Sequence, residues 1–119
     1  MTPTQRSLQK LRDDGYTACI VEKWIPQIRQ RKDAFGFADI IACKIGVPGT
    51  SYIQATSGSN AAARLIKIRG IAQAGIVLAS GNRIVIHGWR KVGPRGGRKL
   101  WECREIEITS GDFAATKGE

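Results

Sequence analysis

The chain has 119 residues, enough for one domain and not two, and its 42% hydrophobic share allows that domain a single core. Nineteen Lys and Arg against ten Asp and Glu give a formal charge of +9 and a pI of about 10.0, which favours a polyanionic partner, since cationic contacts to phosphates release counterions. No apolar run approaches the ~20 residues of a membrane span, no basic helix carries bulky aromatics on an apolar face, and the polar stretch from Thr2 to Gln9 does not read as a signal peptide, so the expected location is cytoplasmic.

In chain order, Thr2-Pro3-Thr4-Gln5 predicts a helix start: Thr2 caps, Pro3 suits the first helical position and Gln5 sits where a capping-box partner stands. This helix is expected to run to about Asp14 and stop at Gly15, with a thin apolar stripe of Leu8 and Leu11. Tyr16 to Trp24 is rich in β-formers and predicts a strand that ends near Pro26. A basic connector with Gln27, Arg29, Gln30, Arg31 and Lys32 follows. Phe37 to Lys44 predicts a second strand around Ile40-Ile41-Ala42-Cys43, Gly46 to Gly49 a turn, and Ser51 to Thr56 a third strand.

Ser57-Gly58-Ser59-Asn60 opens a second helix. Its apolar stripe is Ala61, Leu65, Ile68 and Ala72, with Asn60, Arg64 and Lys67 on another face and Gly75 as its end. Ile76 to Ala79 is expected as a short strand, Ser80-Gly81-Asn82 as a turn, and Arg83 to Trp89 as a further strand. Arg90 to Lys99 is a glycine-rich basic loop, and Trp101 to Thr109 pairs back as a hairpin strand. The tail from Ser110 is small and polar and is expected to fray. The expected domain is therefore residues 1–109, with 110–119 as a flexible tail. Three strands joined by short turns suggest an antiparallel meander; the helix after the third acts as a crossover, so the next strand runs parallel to a neighbour. The fold class is α/β, a mixed sheet with helices packed against it.

Cys19, Cys43 and Cys103 lack a C-x-x-C spacing, which argues against a disulfide framework and a zinc knuckle and for buried free thiols. The lone His87, beside Gly88 in a β-pattern, reads as structural, and no Ser-His-Asp set stands out.

Three polar positions interrupt the strands. Asp39 opens an apolar strand, where a carboxylate is costly to bury unless it is paired or binds a cation. Gln54 lies mid-strand on one face with Tyr52 and Thr56, and Glu22 lies near the end of the first strand. If those strands are neighbours, Glu22, Asp39 and Gln54 converge, and such oxygen donors suit a hard cation such as Mg²⁺. The alternatives are a strand-start role for Asp39, a neighbour hydrogen bond for Gln54 and a solvated pair with Lys23 for Glu22. Asp33 reads as an exposed turn residue. Two basic clusters, Arg29-Arg31-Lys32 and Arg90-Lys91-Arg95-Arg98-Lys99, suit phosphate contact. Trp89 and Trp101 flank the second and read as core or cross-strand aromatics.

The order of helix, three strands and helix resembles the PD-(D/E)XK nuclease superfamily, which includes restriction endonucleases, archaeal Holliday-junction resolvases and the VRR-NUC group. Within it, the runs Arg31-Lys32-Asp33-Ala34-Phe35-Gly36-Phe37-Ala38-Asp39 and Gln54-Ala55-Thr56-Ser57-Gly58 are most similar to short phage and prophage proteins. The likeness covers roughly residues 4–90 and implies a restriction-endonuclease-like αβββαβ core with a C-terminal β-hairpin. It implies a Mg²⁺- or Mn²⁺-dependent DNA endonuclease in a bacterial or phage-infected cytosol, a homodimer if it resolves branched DNA. Asp39 matches the family's metal-binding aspartate, and Gln54 falls at its Asp/Glu position. Thr56 falls at the lysine position, a departure, since threonine carries no charge. Some members take that lysine from the following helix, which points to Lys67, then Arg64; Glu22 would add a further metal-binding acid. The alternatives are a degenerate member that binds DNA without cutting it, and a phage protein that binds a host protein.

Overall fold

The computed structural model describes residues 1–113. A first helix, α1 (Pro3–Asp13), leads into a five-stranded mixed sheet. Its strands are β1 (Thr17–Ile20), β4 (Ile40–Lys44), β5 (Val47–Ser57), β6 (Arg83–Val92) and β7 (Leu100–Ile108), in the spatial order β1-β4-β5-β6-β7. A separate two-stranded hairpin, β2 (Lys23–Ile25) and β3 (Gln30–Lys32), follows β1. A 3₁₀ turn (Gly58–Asn60) and helices α2 (Ala61–Arg69) and α3 (Ala72–Ala79) cross from β5 to β6.

The capping box forms: the Gln5 N–H donates to Thr2 Oγ1 at 3.2 Å and the Thr2 N–H to Gln5 Oε1 at 3.1 Å. The chain leaves α1 through Gly15, whose φ of +92° suits glycine. β1, β4 and β5 form the expected meander, and β6 lies parallel to β5 from Ser51↔Arg83 to Ser57↔Trp89.

Four expectations are corrected. The first strand stops at Ile20, because β4 begins opposite it (Ile20↔Ile40) and leaves nothing further to pair with. The Val21 and Glu22 N–H groups donate instead to the Asp39 carbonyl, and the basic connector becomes the β2–β3 hairpin. The apolar run 76–79 is helical; a short run without alternation does not distinguish strand from helix, and here Ala74 and Val77 bury the same side of α3. Gly70, not Gly75, ends α2. Cys19 and Cys43 are exposed, since alternation puts Ala18 and Ala42 into the core and turns both thiols outward; Cys103 is half-buried.

The sheet separates two apolar layers. On the α1 side, Leu11 packs on Ala18, Ile40, Ala42, Ile53 and Val85. On the other, α2 and α3 place Ala61, Ile68, Ala74 and Val77 over Ile84, Ile86, Ile108 and Phe37. Residues 110–113 are tied back: Arg69 pairs with Asp112 at 2.7 Å, and Phe113 packs on the second layer. The rest of the expected tail, 114–119, lies outside the described residues. Among the described residues no helix is long and apolar enough to cross a membrane.

Candidate functional site

An open cleft of about 600 Å³ lies between the start of α1, the end of β5 and the start of α2. Glu22, Asp39, Gln54, Arg64 and Lys67 all line it, so the expected site residues converge. Arg31 lines it too, whereas Arg29, Lys32 and the cluster from Arg90 to Lys99 lie outside it.

Asp39 owes its position to a tight loop. Phe35 and Gly36 take positive φ angles of 58° and 82°, folding Ala38 back onto Ala34. The chain then joins the sheet through the Asp39 N–H, which donates to the Ile53 carbonyl at 2.8 Å. The carboxylate lies over β5, and its Oδ2 accepts the Ala55 N–H at 3.0 Å. Only 6% of Asp39 is exposed. Burial, abetted by the negative charges of Glu22 and Asp33, pushes its carboxyl up to about 6, against the opposing pull of the Ala55 N–H and the Arg64 charge.

Gln54, beside it on β5, is also buried, and its Oε1 has no hydrogen-bond partner among the described residues. A buried carbonyl oxygen without a donor costs about 1–3 kcal/mol. Asp39 and Gln54 both line the cleft and offer a carboxylate and an amide oxygen, donor types that a hard divalent ion takes. The acids alone do not make a site: among the described residues no group of three or more His, Cys, Asp or Glu is placed to hold a metal. Glu22 faces the cleft with its carboxylate already held by Arg31 Nη1 at 3.0 Å.

Thr56 is buried on the face of β5 that carries Gln54 and brings no charge. Positive charge comes from α2 instead, through Arg64 and Lys67. Helix α2 sits close because Gly88 of β6 lacks a side chain: a Cβ there would meet Ala61 Cβ at 3.1 Å and Gly58 Cα at 3.3 Å.

Sequence reasoning missed two contributors. Asp33 is half-buried and lines the cleft, brought over by the Phe35-Gly36 turn; that dipeptide is the signal for it. The first residues of α1, Thr2 to Gln5, form another wall. No family model, curated protein or solved structure matches this chain. The site therefore rests on its own chemistry.

His87 is no part of it. The ring is 1% exposed, with Nδ1 2.9 Å from Ser7 Oγ, which also accepts the Trp89 Nε1–H at 2.8 Å. The indole can only donate, so Ser7 Oγ accepts from it; the Ser7–His87 contact runs in either direction with the ring tautomer, and the tautomer that turns an Nε2–H toward Glu105, 3.5 Å away, takes the Ser7 proton on Nδ1. Ser7 is fully buried, so this network pins α1 to β6 and offers no nucleophile.

Proposed function

We propose that this protein is a metal-dependent DNA endonuclease of restriction-endonuclease-like fold that hydrolyses phosphodiester bonds. The observation that carries this reading is that the buried Asp39 carboxylate and the buried Gln54, whose Oε1 has no partner among the described residues, line one open cleft with Arg64 and Lys67. Asp39 and Gln54 would hold Mg²⁺ or Mn²⁺, and Glu22 would join them once Arg31 released it. When bound there, the ion would supply an activated water and neutralise charge on the scissile phosphate. The chain's own contribution is placement and charge. Lys67 and Arg64 bind the phosphate oxygens and offset the negative charge that builds in the transition state. The Ala55 N–H holds the Asp39 carboxylate in one orientation. The hydrogen bond from the Asp39 N–H to the Ile53 carbonyl holds Asp39 against the strand that carries Gln54. Action on branched DNA, as a homodimer cutting two strands, extends the same reading.

A second reading, a nuclease-like protein that binds DNA without cutting, is favoured by two observations: Thr56 supplies no charge, and Glu22 is engaged by Arg31. Incubation with plasmid, flap and four-way-junction DNA separates the two. The nuclease reading expects products in Mg²⁺ or Mn²⁺ that EDTA and Asp39→Asn both abolish. Retarded but uncut DNA under every condition would leave the binder, and no DNA binding even at low salt would leave a protein-binding role.

A further inference from the structure

Two basic hairpins leave the sheet at the end where the cleft opens. β1 and β5 are both antiparallel to β4, and β6 is parallel to β5, so β1, β5 and β6 end on the same side of the molecule. Gln54 to Ser57, the last residues of β5, line the cleft there. Beyond Ile20 the chain becomes the β2–β3 hairpin, whose Arg31 lines the cleft. Beyond Trp89, the last β6 residue paired with β5, strand β6 continues with β7 alone as a two-stranded ribbon to Val92↔Leu100.

Both projections are cationic. The hairpin exposes Lys23, Arg29 and Lys32, and the ribbon and its tip expose Lys91, Arg95, Arg98 and Lys99. Arg90 is offset by Glu102 at 3.7 Å. The hairpin is rooted at β1 and the ribbon at β6, three strand spacings apart, which is ~14 Å. That separation is close to the about 12 Å width of a B-DNA major groove, whose two phosphate rows stand one on each side. On the ribbon, Arg6 lies 3.8 Å over one face of the Trp101 ring and Trp89 is buried on Ser7, which leaves Trp24 of the hairpin as the open tryptophan, one platform and not a row of them. A single-strand track needs such open aromatic platforms.

We propose that the β2–β3 hairpin and the β6–β7 ribbon are two jaws that hold one DNA duplex across the cleft, one phosphate row on each. The inference rests on reading the cleft as a phosphodiester site.

The test is equilibrium binding of the full chain, in EDTA, to a labelled duplex and to its single strand over a range of salt. The variants are Lys23→Gln/Lys32→Gln, Arg95→Gln/Arg98→Gln/Lys99→Gln and all five together, with unchanged melting temperatures showing that they fold. Each set is expected to shallow the slope of log K against log salt by about 0.9 for every phosphate it no longer neutralises. The losses add in the combined variant, one duplex binds per chain, and the duplex binds more tightly than the single strand. A slope unmoved by either set, two duplexes per chain, or equal affinity for the single strand overturns the jaws. Cleavage in Mg²⁺ is read separately. Two-jaw binding with no cutting would overturn the nuclease reading and leave the jaws standing. Cutting with both sets of variants unaltered in binding would overturn the jaws alone.

Discussion

Asp39 is held at a cost. Its carboxyl titrates at about 6 in the folded chain against an ordinary 3.8 for aspartate, because burial penalises the charge more than the Ala55 N–H and Arg64 relieve it. Between those two values the native state keeps a proton that the unfolded chain has lost. Stability therefore falls as pH rises from about 4 to about 6, and the full cost, on the order of 3 kcal/mol, is present above that. Asp39→Asn retains an oxygen for the Ala55 N–H and removes the charge. Thermal melts should show the variant more stable than wild type at neutral pH and equal to it near pH 4; equal stability at both would mean that the carboxylate is not desolvated. A residue kept at such a cost in a cleft is a functional candidate on physical grounds. The second residue-scale prediction concerns Ser7. Ser7→Ala leaves the buried Trp89 N–H and His87 Nδ1 unpaired, and should lower stability by about 2 kcal/mol or more, read from the denaturant midpoint. Burial holds His87 below its ordinary 6.5, against the pull of Glu105. The unfolded chain therefore takes up that proton first on acidification, and stability is lost as pH falls below about 6.5. This limb opposes that of Asp39, so it should emerge cleanly in the Asp39→Asn background.

At the scale of elements, Gly88 sets how closely α2 approaches the sheet. Gly88→Ala should cost about 1–3 kcal/mol by overpacking against Ala61 and the Gly58 backbone. If the site needs Arg64 and Lys67 where α2 now puts them, metal-dependent cleavage should fall while the circular-dichroism spectrum stays native; unchanged cleavage would remove α2 from the chemistry. Much of this level is legible in the sequence. Thr2 and Gln5 announce the α1 cap, and alternation announces β5 and β7. Asp39, Gln54 and Glu22 stand out as polar interruptions of apolar strands and do share the cleft. What fails does so for physical reasons. A strand ends where its partner ends, and nothing local in Tyr16 to Trp24 records that β4 begins at Ile40. The run Ile76 to Ala79 is apolar at every position, so its period is unreadable, and only the covering contacts of Ala74 and Val77 make it a helix. Cys19 and Cys43 sit in apolar stretches, yet strand alternation turns them to solvent on the face of β1 and β4 away from α1. Asp33 reads as solvated in the sequence because its approach to Asp39 depends on left-handed Phe35 and Gly36.

For the whole molecule, the parallel step from β5 to β6 matters most. It brings the ends of β1, β5 and β6 to one side, so that the cleft, the basic hairpin and the basic ribbon lie at the same end of the sheet. The exposed cations of the hairpin and the ribbon thus stand at the same end of the sheet as Gln54 and the protonatable carboxyl of Asp39. The claim beneath the whole account is that Asp39 and Gln54 are a divalent-cation site. The most direct measurement is the ¹³C chemical shift of the Asp39 carboxyl followed through a pH titration with and without Mg²⁺. A bound cation favours the ionised form, so the account predicts a midpoint near 6 in EDTA that moves well down when Mg²⁺ is added, and moves less in Gln54→Leu. A midpoint unmoved by saturating Mg²⁺ would contradict it.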